Sequence, residues 1–233
     1  MELEEVLAAA ARGPAELSRL LDSRQDEITP PLVAAAEECA REGMSSGDGE
    51  MVLLGALVAS DLHLRLGDRT KSLKWLIDFN GILYAAGDST ENYLSVRSSM
   101  LDAIKQANEV GSAELAFHAA VIAAESGFHA SEGAANPDEW RRIVLADIAS
   151  ACRMAPADQS DTWYQRLVYL IAVAGSEAMT SSAIEDDERV TRSVRALAGW
   201  IEERVPIDFE FDFDSKVNSQ IAAQLTELTA RFA

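Results

Sequence analysis

The feature that most constrains how this chain can fold is a short joint that recurs between alanine-rich stretches. Arg65 to Asp68 reads RLGD, Ala85 to Asp88 reads AAGD, and Glu109 to Ser112 reads EVGS. The flanking segments carry apolar residues three and four positions apart, the spacing of one helix face. Glycine takes the left-handed conformation that stops a helix, and the Asp or Ser after it accepts free amide hydrogens of the next helix. Joints this short force consecutive helices to lie antiparallel. Counted over pairs of helices, the glycines return at intervals of about 40 residues (Gly47 to Gly87, Gly67 to Gly111), the period of a helical-hairpin array.

The pattern predicts an all-α protein of antiparallel hairpins stacked as a solenoid. Helices are expected near residues 2–12, 14–23, 31–42, 49–66, 69–86, 89–109, 112–127, 138–154, 160–177, 183–204 and 215–232. Capping chemistry marks the breaks. Asn136, Pro137 and Glu139 form an N-terminal signature, Ser182 pairs with Glu185 in the same way, and Thr29 precedes a helix begun by Pro30. Gly13 to Glu16 is a similar break, and Gly127 is placed to end a helix before His129. Three regions are expected: an N-terminal helical cap (1–30), a repeat region (31–204), and an acidic, aromatic extended segment with a C-terminal capping helix (205–233).

The last region departs from helical spacing. In PIDFEFDFDSK, Ile207, Phe209, Phe211 and Phe213 alternate with Asp208, Glu210, Asp212 and Asp214. Period two puts the apolar residues on one side of an extended ribbon and the acids on the other. The three phenylalanines either seal the end of the helical stack or meet a partner chain. A calcium loop starting at Asp208 is excluded, because Phe213 and Ser219 stand where glycine and glutamate are needed.

Charge narrows the function. Acids outnumber Lys plus Arg by 39 to 20 over 233 residues, a formal charge of −19. Such a surface repels phosphate backbones and anionic lipid and attracts a basic protein. Neither a nucleic acid nor a membrane is expected as partner. Cys39 and Cys152 form no CxxC or CxxH pattern, so neither a disulfide framework nor a structural zinc site is indicated, and both read as buried thiols. The start, MELEEVLAAAARGP, has acids where a secretory leader needs basic residues, and no apolar run reaches the ~18 residues of a membrane span. A cytoplasmic location is expected.

Ala113 to Ala130 (AELAFHAAVIAAESGFHA) resembles the first helix of a tetratricopeptide-type repeat, with small residues at close-packing positions. Leu101 to Ser112 resembles the second helix and turn of the unit before it, and Gly49 to Asp68 another first helix. The resemblance covers about residues 31–180. The chain is also similar to helical repeat regions of bacterial signalling proteins that carry a CHAT peptidase, although no peptidase part is present. These resemblances imply peptide or protein binding on the concave side of a curved stack, without catalysis.

Several side chains are candidates for that contact. Glu114, His118, Glu125 and His129 fall within about 60° of one another on a helix, forming a polar stripe in an apolar segment. The stripe could line a groove or present two Glu-x-x-x-His pairs to a metal. His118 and Glu125 lie about 10 Å apart along the axis, so the four cannot share one ion; no metal and no cofactor are expected. The four tryptophans read as core, but a Trp163–Tyr164 pair could anchor a partner. His63 reads as a satisfied histidine. GMSSG (43–47) matches the serine-hydrolase G-x-S-x-G pattern but follows a helix rather than a strand, so it reads as a linker. The run Glu185 to Glu188 reads as a dipole-matched first turn. No nucleotide or zinc motif is present.

The lead expectation is therefore a non-enzymatic protein- or peptide-binding module with an acidic surface. Its partner-binding residues would be Glu114, His118, Glu125, Trp163, Tyr164, Phe209, Phe211 and Phe213. The alternatives are an immunity- or antitoxin-like neutraliser of a basic protein, and an enzyme using the Glu/His stripe.

Overall fold

The computed structural model describes residues 1–157, 161–180, 187–206 and 215–232. Eleven α-helices are present among them: α1 Leu3–Ala11, α2 Pro14–Ser23, α3 Pro30–Ser46, α4 Gly49–Arg65, α5 Arg69–Ala86, α6 Thr90–Glu109, α7 Ala113–Glu132, α8 Pro137–Met154, α9 Thr162–Thr180, α10 Glu188–Arg204 and α11 Ser215–Phe232. A 3₁₀ turn spans Gln25–Glu27. No strand occurs among the described residues. The expected extended segment, with Phe209, Phe211 and Phe213, lies outside them, as do Ser182 and Glu185. No described helix is long and apolar enough to cross a membrane.

The joints share one construction. Gly47, Gly67 and Gly111 have φ of 74°, 82° and 73°, the left-handed region where a side chain would be strained. After each, the next residue's amide folds back onto a carbonyl five positions earlier: Asp48 onto Gly43 at 3.0 Å, Asp68 onto His63 at 2.9 Å, and Ser112 onto Ala107 at 2.9 Å. This is the Schellman ending of a helix. The same three residues then cap the following helix. Asp48 accepts from the Met51 amide and Asp68 from the Lys71 amide, both at 3.1 Å, and Ser112 from Leu115 at 3.3 Å.

Gly87 differs from the other joint glycines. It is extended (φ −69°, ψ 141°), its amide turning tightly onto the Tyr84 carbonyl, and the cap moves one residue on, to Ser89. Gly43 and Gly127 fall inside helices. GMSSG forms the last turn of α3, ending at Gly47, and α7 runs straight through Gly127 to Glu132. Thr29 precedes α3 without a side-chain cap, Asn136 accepts from the Glu139 amide at 3.4 Å, and Asp187 caps α10 through the Arg189 amide at 2.9 Å.

The chain divides into two compact units, Met1–Gly87 with Asp102–Leu115, and Asp88–Leu101 with Ala116–Ala233. These units cut across the three-part division expected at residues 30 and 204. In the first unit α3 packs on α4 and α4 on α5. Gly43 meets Val52, and Ala40 meets Gly55, so α3 and α4 run antiparallel. The approach is close: a Cβ added at Gly55 would lie 2.6 Å from the Ala40 nitrogen, and one at Gly43 would lie 2.7 Å from that of Val52. Ala36, Ala59 and Leu62 continue this seam into a core shared with Val6, Leu17 and Leu21.

In the second unit Tyr93 of α6 stacks on His129 of α7, and Arg97 passes beside Gly127, which makes these segments antiparallel. Gly127 thus packs rather than terminates. Its missing side chain leaves room for Arg97, whose guanidinium bonds both oxygens of Asp147 on α8 at 2.7 and 3.2 Å. Helix α9 runs parallel to α7, since His118 meets Trp163 and Glu125 meets Arg166. It also runs parallel to α11, since Gly175 meets Leu228 and the Met179 carbonyl meets Arg231. Helix α8 packs on α9 and α10, and α10 on α11. Alternate helices that run parallel, with antiparallel partners between them, define stacked hairpins. Helices α4 and α7, both expected as first helices of a hairpin, have α5 and α6 between them and so hold opposite places in a strict alternation.

The α3–α4 seam yields a test. Gly55→Ala should destabilise by about 1–3 kcal/mol, because backbone rather than a flexible side chain blocks the added methyl. Gly49→Ala, where nothing lies within 4 Å, should be neutral or stabilising by up to about 1 kcal/mol. Urea unfolding of both variants measures the difference.

Candidate functional site

An open cleft of about 340 Å³ lies in the first unit. Helix α3 contributes Pro30, Val33, Ala34 and Glu37; α4 contributes His63; Leu66 and Asp68 come from the joint, and Lys71 from α5. The Schellman joint brings its two polar members together. His63 supplies the carbonyl that the Asp68 amide closes onto, so the two side chains meet across Gly67.

His63 is only 5 % exposed. Its Nε2 lies 2.8 Å from Oε1 of Glu37, and the same oxygen accepts the Trp75 indole N–H at 3.3 Å. Burial pushes the Glu37 carboxyl up, but the hydrogen bonds from His63 and Trp75 outweigh it and hold the group below the usual carboxylate range. Ionised Glu37 can only accept, so Nε2 of His63 donates to it. The ring's Nδ1 stands 3.9 Å from Oδ2 of Asp68. Lys71 Nζ lies 3.8 Å from the same Asp68 oxygen. His63, expected to be a satisfied histidine, is bonded through Nε2 to Glu37 and has Asp68 facing its other nitrogen. The signal in the sequence was the spacing of His63 to Asp68 across a glycine joint.

The stripe on α7 is differently placed from what its spacing implied. Glu114 is exposed. His118 stacks on Trp163 with ring centroids 4.8 Å apart, its Nε2 3.6 Å from Asp161. Glu125 is 8 % exposed and engaged by both Nε and Nη2 of Arg166, the former at 2.9 Å. The Arg166 guanidinium lies 4.3 Å from the centre of the Trp163 ring, so Trp163 is held between an imidazole and a guanidinium. Burial raises the Glu125 carboxyl's pKa, opposed by Arg166 and His129. Glu125 is therefore a strut between α7 and α9 rather than part of a groove wall, and α9 covers this face because α7 is apolar nearly all round.

The expectation of an exposed Trp163–Tyr164 pair is corrected. Tyr164 is fully buried, and its hydroxyl donates to the Arg204 carbonyl at 2.7 Å. Consecutive helix residues point about 100° apart, so only Trp163 reaches the half-exposed edge. Phe209, Phe211 and Phe213 lie outside the described residues. Cys39 and Cys152 are buried and free, and burial pushes the Cys152 thiol up to about 12. Among the described residues no three His, Cys, Asp or Glu side chains converge to hold a metal ion.

No protein-family model matches the sequence, and no curated protein matches it. Among solved structures, a chain titled "DHF58 filament" is similar at 17 % identity, over 99 % of this chain and 90 % of that one, with a TM-score of 0.23, a likeness too remote to argue from.

Two outcomes test the electrostatics. Glu125→Ala leaves the Arg166 guanidinium facing an apolar gap and should cost about 3 kcal/mol by urea unfolding. For Glu37 the folded pKa lies below the unfolded one, so its contribution is present above the unfolded value and lost as pH falls. The stability difference between wild type and Glu37→Gln should shrink between about pH 5 and pH 3.

Proposed function

We propose that this protein is a non-enzymatic interaction module of stacked, tetratricopeptide-like hairpins that binds a basic segment of another protein. The observation that carries this is the cleft of the first unit: an open space of about 340 Å³, with an apolar border from Pro30, Val33 and Leu66 and the carboxylates of Glu37 and Asp68 beside His63. The formal charge of −19 supports the same choice of partner, since the surrounding field attracts cations and repels polyanions.

The likeness to tetratricopeptide repeats is supported by small-residue packing inside a hairpin, as at Ala40 and Gly55, and by parallel alternation of α7, α9 and α11. In this proposal the helices supply a fixed frame and the joints supply the recognition groups. The stripe of α7 is assigned to the frame through Glu125 and His118, and Trp163 is the member that could extend a contact.

A peptide library displayed on phage and selected on the purified protein tests the proposal. Lysine- and arginine-rich sequences should be enriched, and their Kd should rise about tenfold between 50 and 300 mM NaCl. Enrichment of acidic or purely apolar sequences without salt dependence would overturn it.

A further inference from the structure

We infer that a second cleft of the first unit, beside the α3–α4 joint, seats one aromatic side chain from a basic segment of a protein partner. The inference rests on the interaction reading above and adds an anchoring surface that reading does not use.

The cleft is open and measures about 260 Å³, room for roughly nine water molecules. Its walls are apolar. Leu7 comes from α1, Cys39 from α3, and Met51 and Leu54 from α4. Leu7 and Leu54 pack on the outer edge of the unit's core and are only half-buried, so that edge meets solvent here. Cys39 is 7 % exposed, and its Sγ donates weakly to the Met51 carbonyl at 3.9 Å. Two sulfur-bearing side chains thus face the space. Sulfur makes favourable contacts with the edge of an aromatic ring, and aromatic side chains bury more surface than any others.

The rim is acidic. Asp48 in the joint and Glu50 in the first turn of α4 line the cleft. Glu42 of α3 stands close enough that its charge, with that of Asp48, adds to burial in pushing the Cys39 thiol up. All three carboxylates are exposed, and none forms an ion pair among the described residues. Several other acids of this unit are matched: Glu37 and Glu38 by Arg41, Glu5 and Glu27 by Arg24, and Asp22 by Arg65. Capping accounts for part of the rim. Asp48 spends Oδ1 on the Met51 amide, and Glu50 is favoured by the dipole at the start of α4. Glu42 has neither role, and the last turn of α3 contains no basic residue.

An apolar space bordered by unmatched carboxylates is the complement of a large apolar side chain with cations on either side of it. Exposed ion pairs alone hold a partner weakly. The ring supplies the anchor, and the charges steer the approach and reject acidic competitors.

The experiment is an NMR titration of the full chain carrying ¹³C-methyl methionine, with the Met51 signal assigned through Met51→Leu. The probe is acetyl-Lys-Arg-Phe-Arg-Lys-amide. One comparison peptide has alanine in place of phenylalanine; the other is acetyl-Glu-Asp-Phe-Asp-Glu-amide. The probe should move the Met51 methyl signal saturably, by the ring current of its phenylalanine. The alanine peptide should bind at least about tenfold more weakly, because the buried ring is lost. The acidic peptide should leave the signal unmoved.

Asp48→Asn combined with Glu50→Gln should weaken probe binding about tenfold; asparagine caps a helix as well as aspartate does, so the fold is kept. Asp26→Asn combined with Asp102→Asn removes an equal charge elsewhere and should leave binding unchanged. An unmoved Met51 signal, equal binding of either comparison peptide, or equal loss in the two double variants would overturn the assignment. If library-selected basic peptides bind while the Met51 signal and the Asp48/Glu50 double variant are indifferent to them, the interaction reading stands and this cleft is not its anchor. If no basic peptide binds wild type, both fall.

Discussion

The Schellman joint is the interaction on which the rest of the first unit depends. A left-handed glycine ends one helix, and the amide after it closes onto a carbonyl five residues back. The side chain of that same residue, Asp or Ser, opens the next helix. One residue thus satisfies orphan groups of two helices, which is why each joint needs so little chain. The geometry also brings the residue before the turn against the residue after it. At Gly43 and Asp48, and again at Ala107 and Ser112, one of the two carries no polar side chain. At His63 and Asp68 both are polar, and the same backbone device sets two ionisable side chains face to face, 3.9 Å apart.

That element is only as well defined as the seam beside it. Glu37 reaches His63 from α3, and α3 is held against α4 by direct backbone approach at Gly43 and Gly55. Small residues allow this because nothing has to be repacked between the two helices. A methyl at either glycine would move α3 outward by a few tenths of an ångström or more. The Glu37–His63 bond, at 2.8 Å, has little slack to absorb that.

Much of the helix plan could be read from the chain, because capping residues and apolar spacing are local signals. What could not be read locally is the purpose of each glycine. Gly43 and Gly127 looked like breaks, yet one packs on Val52 and the other makes room for Arg97. Only a neighbour distant in sequence distinguishes a terminator from a packing site, and Gly87 shows the reverse, a helix end that needs no left-handed residue. The site was less legible for the same reason. The Glu/His spacing on α7 was real, but Arg166, some forty residues on, turns Glu125 into a strut. For His63 the sequence named no partner, because both lie outside its own helix. Its actual partners are Glu37 and Asp68, one from the preceding helix and one from beyond the glycine.

The two polar clusters differ in a way that bears on function. Around Trp163 the charges are matched: Glu125 meets Arg166, and aromatic faces cover the cation on one side. A matched, largely desolvated pair gains little from a further ligand, since any newcomer must first break it. Around His63 the contacts are looser: Glu37 bonds His63 and Trp75, Arg41 reaches it from the solvent side at 3.4 Å, and Lys71 stands 3.8 Å from Asp68. Across the described chain other arginines also pair with acids, Arg97 with Asp147 in a partly buried pair, and Arg24 with Glu5 and Glu27 and Arg65 with Asp22 at the surface. A surplus of acids alone draws cations without choosing among them. Choice requires polar groups fixed by packing, and Glu37, His63 and Asp68 are fixed in this way by the α3–α4 seam and the joint at Gly67.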